Sequence, residues 1–368
     1  MRVRVLTTGA EDAHERANGV LVERVGLTAR VAATAPLPRR LRSLVRFMGE
    51  TYAGVVAHMW SARADYDVVH CFGGTRFSIA ALATAVALGK STIVELTLAG
   101  RDDAETFARR SSLGLIGRML KASLLRRVDR FVCNSRALAD SCRAMGIPDH
   151  QVWFRLNPID GALFSAATDA DQHSERAVLG LPQGVRLMVT VGVISRRKNQ
   201  GFFVEALAQA PKDTAVLVIV GPTEEADDRL YLHELRARVD ALGLGQRVRI
   251  VAEHRDDVSS FLRAADLFVF ASHAEGCPNA PQEALSTGLP VLGVDLCGVL
   301  TDIVHEGDGT ILPASATPSA FAGLLSADVG SSHGERSQRA QRAIDRFSMD
   351  KTVDAYVAMY RDVTDARH

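Results

Sequence analysis

The segment EGCPNAPQEALSTGLPVLGVD, residues 275–295, sets two carboxylates, Glu275 and Glu283, on either side of a Pro-Asn-Ala-Pro turn. Well upstream, SRRKN (195–199) gathers Arg196, Arg197 and Lys198 in a turn after an apolar run. Cations and free backbone N–H groups stabilise negative charge, phosphate above all. Carboxylates accept hydrogen bonds from hydroxyl groups. Pro281 suits the first turn of a helix, so Glu283 falls near a positive helix end, where a carboxylate gains roughly 0.3–1 kcal/mol. Glu283 thus has an ordinary reading as a capping glutamate that reaches back toward Ala280. Glu275 precedes the turn, and its ordinary reading is an exposed loop acid. That of SRRKN is a solvated basic turn. Gly276, Cys277, Pro278 and Asn279 form the loop between the glutamates, and N–H groups there are unpaired at a helix start.

Something must hold these segments in place. β-rich runs at 2–7, 67–72, 91–96, 130–134 and 151–156 alternate with helical patterns at 77–89, 115–128 and 135–145. No firm element is expected over 10–35. SAATDADQHSER (165–176) reads as a polar linker. The alternation restarts with strands at 186–193, 214–221, 247–251, 266–272 and 290–295, and helices near 200–209, 229–242, 257–264 and 281–287. Continuous apolar strands spaced by helices imply parallel sheets covered on both faces. The expected architecture is α/β, with two Rossmann-like domains at 1–165 and 178–346. Ligands of such sheets bind at the carboxyl ends of the strands, which puts a ligand in the cleft between the domains.

Composition excludes several classes. Nearly half of the 368 residues are apolar, and fewer than a quarter are charged, which suits a large core. The longest nearly apolar run, 77–89, is too short to span a bilayer. The opening MRVRVLTTG carries no secretory leader, which predicts a cytoplasmic protein. Five scattered cysteines form no C-x-x-C pair and indicate neither a disulfide framework nor a zinc site. Residues 1–165 carry 23 Lys and Arg against 15 Asp and Glu, and the rest of a neutral chain carries the opposite excess. Two domains with different ligands would produce that contrast. The basic residues are dispersed and lack aromatic interleaving, so no nucleic acid is expected. Only five of the 43 basic residues are lysine, which suggests a GC-rich, bacterial genome.

Together, VGVISRRKNQGFFVEALA (191–208), VSSFLRAADLFVFASHAEGCPNAPQEALSTGLPVLGVD (258–295), VWFRLNPIDGALF (152–164) and VDRFVCNSRALADSCRAMGI (128–147) resemble the retaining glycosyltransferases of family 4, which have the GT-B fold. The resemblance covers about 125–368 and is sharpest at 258–295, where Glu275 and Glu283 reproduce the family's E-x(7)-E signature. It implies that the chain moves a sugar from a UDP-, GDP- or other nucleotide-diphosphate donor to an acceptor hydroxyl, with no bound metal and no cofactor. Glu275 would face the sugar and Glu283 the ribose, while Lys198 would hold the diphosphate. Gly192, Arg196, Gly276, Cys277, Pro278, Asn279 and Ala280 would line the donor. Val193 stands where the family commonly carries an arginine, so either Arg196 or Arg197 takes over that role or the clamp is weaker. Residues 350–368 would return to the first domain, which would hold the acceptor. Many relatives have a histidine where this chain has Thr97, with Glu95 nearby. His70 reads equally as a cleft residue and as a satisfied core histidine.

Other readings stay open. A sugar-nucleotide epimerase or hydrolase could use the same fold, and a sugar-nucleotide sensor is a non-enzymatic alternative. No G-x-G-x-x-G follows a strand, which disfavours a nicotinamide enzyme. Two basic amphipathic segments, 39–47 and 117–131, could make a peripheral contact with anionic lipid. A core helix with a charged outer face is the favoured reading of both.

Overall fold

A computed structural model describes residues 4–9, 13–17, 20–26, 49, 52–73, 76–98, 103–109, 114–326 and 332–366. β1 (Arg4–Gly9), β2 (Ala13–Ala17) and β3 (Val20–Gly26) form a three-stranded sheet. β3 is parallel to β1 and antiparallel to β2, so strands occupy part of 10–35, where no firm element was expected. After helix α1 (52–61) come β4 (Val68–Phe72), α2 (Arg76–Ala87), β5 (Ser91–Leu96), α3 (Ala104–Arg109), α4 (Gly114–Leu125), β6 (Arg130–Cys133), α5 (Arg136–Ala144) and β7 (Val152–Phe154). Strands β4 to β7 form a parallel sheet in sequence order.

The carboxy-terminal half continues with α6 (Asp169–Val178), β8 (Leu187–Val191), α7 (Gln200–Gln209), β9 (Val216–Val220), α8 (Ala226–Ala241), β10 (Val248–Val251), α9 (Val258–Ala264) and β11 (Leu267–Phe270). Then come α10 (Asn279–Ser286), β12 (Val291–Val294), α11 (Leu300–Ile303), β13 (Gly309–Leu312), α12 (Pro318–Leu324), α13 (His333–Arg346) and α14 (Met349–Asp365). Its six strands are all parallel, in the order β10-β9-β8-β11-β12-β13. Alternate residues enter different cores, because side chains point to opposite faces of a strand. Leu187, Val189, Phe268 and Phe270 join one core with Phe261, Leu285 and Phe347. Met188, Leu267 and Val269 join the other with Phe203, Leu235 and Phe321. In the inner strands β9, β8, β11 and β12 neither face is exposed, which is why these strands read as unbroken apolar runs.

Two crossings join the halves and lie side by side. Ile159 donates its N–H to Phe347 O at 2.9 Å. α14 then covers the face of the first sheet that holds Ile93 and Val132, using Met359, Val363, Tyr356 and Tyr360. Its polar groups are tied down as well. Ser91 Oγ donates to Val363 O at 2.7 Å, and Tyr356 Oη donates to Glu95 at 3.0 Å.

The supposed linker at 165–176 is largely α6, which corrects the sequence reading. Thr168 and Asp171 form a reciprocal capping box. The polar side chains are used structurally rather than solvated. Buried Arg176 donates to Ala264 O at 2.8 Å, to Val185 O at 3.0 Å and to Asp266 at 2.7 Å. Arg176→Ala removes the cation from Asp266, leaving it only the Gln172 and Leu187 donors, and also unpairs Ala264 O and Val185 O, so it should destabilise the chain by about 3 kcal/mol. Chemical denaturation measures this, and an unchanged midpoint would show that the ion pair is not structural.

Candidate donor site

The six-stranded sheet reverses its strand order between β8 and β11, and loops leaving the carboxyl ends of such neighbours diverge to open a crevice. The two loops there are 192–199 and 271–278, the segments that carry the candidate chemistry. They are also joined to each other. His273 N–H donates to Arg197 O at 2.8 Å, and Asn199 Nδ2 to Ala271 O at 3.3 Å. Asn199 takes a left-handed conformation (φ 57°), which asparagine tolerates better than most residues, and α7 begins directly after it. Gln200, fully buried, steadies the turn by donating to Val193 O at 3.0 Å. Gly192 has φ +138°, and a Cβ there would lie 3.3 Å from Lys198 Cε, so glycine lets the lysine lie against the backbone.

Glu275 is buried (8 % exposed), and one of its oxygens takes both cations. Arg197 Nη1 lies 2.7 Å and Lys198 Nζ 2.8 Å from Oε1. Two cations on one carboxylate leave the cluster with a net positive charge, facing the crevice. Arg196 does not join them, which corrects its expected place in the site. It forks onto Glu234 at 2.7 Å and lies over the Tyr231 ring on α8. Arg196 is thus drawn to α8, and Arg197 to Glu275. The cation that joins Lys198 on Glu275 is Arg197.

α10 starts at Asn279 with Pro278 as its cap residue. Glu283 lies a full turn in, and its carboxylate caps no backbone N–H among the described residues, so the capping expectation does not hold. The group is half-buried and has no hydrogen-bond or ion-pair partner among them. Burial pushes its pKa up to about 7, against the opposing pull of Lys198. The N–H groups of Gly276, Cys277, Asn279 and Ala280 also donate to no described residue. Cys277 contributes backbone only. Its thiol is buried, is pushed up to about 12 by that burial, and accepts from Gln282 Nε2 at 3.3 Å.

The amino-terminal half closes over this loop. A Cβ on Gly276 would come within 1.8 Å of Thr97 O, at the end of β5, so only glycine fits there. Asn134, at the end of β6, is buried with its Oδ1 unpartnered and near Gly276. Asn157, in the crossing after β7, donates through Nδ2 to Asn279 Oδ1 at 2.8 Å and to Cys277 O at 3.2 Å. Single-residue reading missed Asn134 and Asn157, although both lie in segments that carried the family resemblance. His70 takes its core reading. Its Nδ1 lies 2.6 Å from Tyr360 Oη, and its Nε2 lies 3.3 Å from Glu95, beneath α14. No cluster of His, Cys, Asp or Glu among the described residues could hold a metal ion.

The raised pKa of Glu283 has a thermodynamic consequence. Below about pH 4.5 the carboxyl is neutral whether the chain is folded or unfolded, and burial costs nothing ionic. Between about 4.5 and 7 the unfolded chain loses this proton first, so stability falls as pH rises. Glu283→Gln removes that loss. Its gain in melting temperature over the parent should grow from pH 5 to pH 8, and a gain independent of pH would contradict the buried carboxylate.

Comparison with known proteins places this geometry. The family described as Glycosyl transferases group 1 matches residues 171–342, and the Glycosyl transferase 4-like domain matches 1–156. A D-inositol 3-phosphate glycosyltransferase of Jonesia denitrificans is 31 % identical over 211 residues, which is 55 % of this chain and 49 % of that protein. The match thus spans about half the length of that relative. The D-inositol 3-phosphate glycosyltransferase 1 of Catenulispora acidiphila is 28 % identical over 341 residues, 87 % of this chain and 77 % of that one. Among solved structures, Anabaena HepE in complex with UDP superposes with a TM-score of 0.75 at 18 % identity, covering 98 % of this chain and all of that one. Between them the two family matches take in all three sheets and both loops of the crevice, and the chain belongs to the GT-B glycosyltransferases of the family-4 type.

Proposed function

We propose that the protein is a retaining, metal-independent transferase that moves a hexosyl group from a nucleotide-diphosphate donor to an acceptor hydroxyl. The observation that carries this reading is the pairing, at one switch point, of a net-positive Arg197–Glu275–Lys198 cluster with the unpartnered carboxylate of Glu283. Breaking an anomeric C–O bond to a diphosphate builds negative charge on the leaving phosphate. Lys198, Arg197 and the free N–H groups at the start of α10 stabilise that charge. With the neutralising charges supplied by the chain, no metal is needed for that step. Glu283 accepts hydrogen bonds from the ribose hydroxyls, and the second oxygen of Glu275 accepts them from the sugar. The first half, 1–165 with 350–368 returning to it, holds the acceptor, and 178–346 holds the donor. The resemblance to family 4 supports retention of anomeric configuration. The UDP held by HepE makes a UDP-sugar the first donor to test. Five free thiols, four of them buried, suit a cytoplasmic setting.

Lys198→Ala should lower turnover about 100- to 1000-fold at saturating donor, as expected for loss of one charge-stabilising group. Unchanged turnover would remove Lys198 from the leaving-group site. Glu283→Ala should weaken nucleoside diphosphate binding more than it slows turnover. Calorimetric titration with UDP, GDP, ADP and dTDP reads that loss, and equal affinities in parent and variant would sink the ribose role. Incubation with donor alone separates this reading from an epimerase or hydrolase, which would convert the donor without any acceptor.

A further inference from the structure

We propose that the amino-terminal half reads the transferred sugar through a relay of three side-chain amides, Asn134, Asn157 and Asn279, with Asn134 Oδ1 as the receiving atom. The proposal rests on the donor reading above. Asn134 directly follows β6 and is 5 % exposed. Its Nδ2 lies 3.4 Å from Asn157 Oδ1, and Asn157 Nδ2 in turn reaches Asn279 Oδ1 and Cys277 O. One end of the relay fixes its direction. A backbone carbonyl only accepts, so Cys277 O calls for the amino group of Asn157. Asn157 therefore shows its oxygen to Asn134, which answers with Nδ2 and turns Oδ1 toward the donor loop. There a Cβ on Gly276 would lie 3.1 Å from that oxygen.

Asn134 Oδ1 is a buried acceptor that no described group satisfies, and folded proteins leave few such groups unmet. Closure of the halves does not supply the partner. They already meet here, since Thr97 O stands against Gly276, and the Gly276 N–H still does not reach the oxygen. A bound ligand supplies what is missing, and the group required is a hydrogen-bond donor. Glu275, whose second oxygen faces the sugar in the donor reading, is the chain neighbour of Gly276. A sugar hydroxyl is the donor that arrives at this spot. A sugar lacking that hydroxyl leaves the oxygen buried and unpaired, so the atom selects among donors as well as binding them. The relay carries the contact onward, because Asn157 also holds Cys277 O and the first residue of α10. Asn134 is thus a specificity-determining residue, and Asn157 a positioning one.

Calorimetric titration of the full chain provides the test, with UDP and GDP alone and with glucose, galactose, N-acetylglucosamine or mannose attached. In the parent, one of these sugars should raise affinity over the bare nucleotide. Asn134→Ala should weaken that sugar nucleotide about tenfold or more and leave the bare nucleotide unchanged. Asn134→Leu, closer in volume, repeats the measurement without a cavity. The effect of Asn134→Ala should shrink in an Asn157→Ala background, where the acceptor is no longer aimed. Among the monodeoxy forms of the sugar, one should bind Asn134→Ala and the parent equally. Sugar-nucleotide affinity that is the same in the parent and both Asn134 variants would overturn the proposal. So would a loss of the same factor with bare nucleotide and sugar nucleotide, which marks a merely structural role, or a loss that persists in every deoxy form. A parent that binds the nucleotides but gains nothing from any sugar also overturns it and leaves the transferase reading in place. A parent that binds no nucleoside diphosphate sinks that reading, and this proposal with it.

Discussion

A carboxylate buried as deeply as Glu275 costs several kcal/mol unless it is paired, and this chain answers with two cations on one oxygen. That arrangement fixes much else. It holds Arg197 and Lys198 in one place, ties the loop after β8 to the loop after β11, and leaves surplus positive charge at the strand ends. The sheet supplies the setting. Within the six-stranded sheet, the gap between β8 and β11 is where the strand order reverses, and it brings together the two departing loops that carry the cluster.

The cleft depends on contacts from the other half. Thr97 O touches Gly276, and Asn157 grips both Cys277 O and Asn279 across the crossing. The donor loop is thus held from both sides of the cleft. Movement of one half relative to the other would have to break or slide these contacts, which couples the position of the N–H groups to closure. The crossing of α14 has a polar anchor of its own. Burial and the neighbouring Glu95 carboxylate push the Tyr360 phenol up to about 12, and the same causes push Tyr356 up as well. Both phenols therefore remain protonated, and Tyr356 donates to Glu95.

Much of this was legible in the residues. Apolar runs marked every strand of both parallel sheets except β13, an edge strand too exposed and too short to stand out, and SRRKN and the two glutamates marked the loops that the switch point brings together. The misreadings have physical causes. Asp, Ser and His dominate 165–176 and look like linker composition, yet a capping box and buried Arg176 make the segment a helix. The charges of Arg196 and Arg197 are identical on paper, and only the direction of the turn separates the one on α8 from the one on Glu275. Asn134 and Asn157 carry no charge and no motif of their own, so their meeting with the donor loop appears only once the halves are folded together. α4 shows the same limit. A charged outer face was expected there, yet Leu115, Ile116, Met119 and Leu120 are exposed. Periodicity reports which residues share a face, but not which of the faces the sheet leaves uncovered. Segment 39–47, the other basic amphipathic stretch, lies outside the described residues.

The central claim is that the charge surplus at the β8–β11 switch point is where a diphosphate rests. A crystal structure with a bound sugar nucleotide tests it most directly. The account predicts phosphate density within hydrogen-bonding reach of Lys198 Nζ and the N–H groups of 276–280, with the ribose hydroxyls on Glu283. Density in any other part of the molecule, or a diphosphate that leaves the Arg197–Glu275–Lys198 cluster untouched, would contradict it.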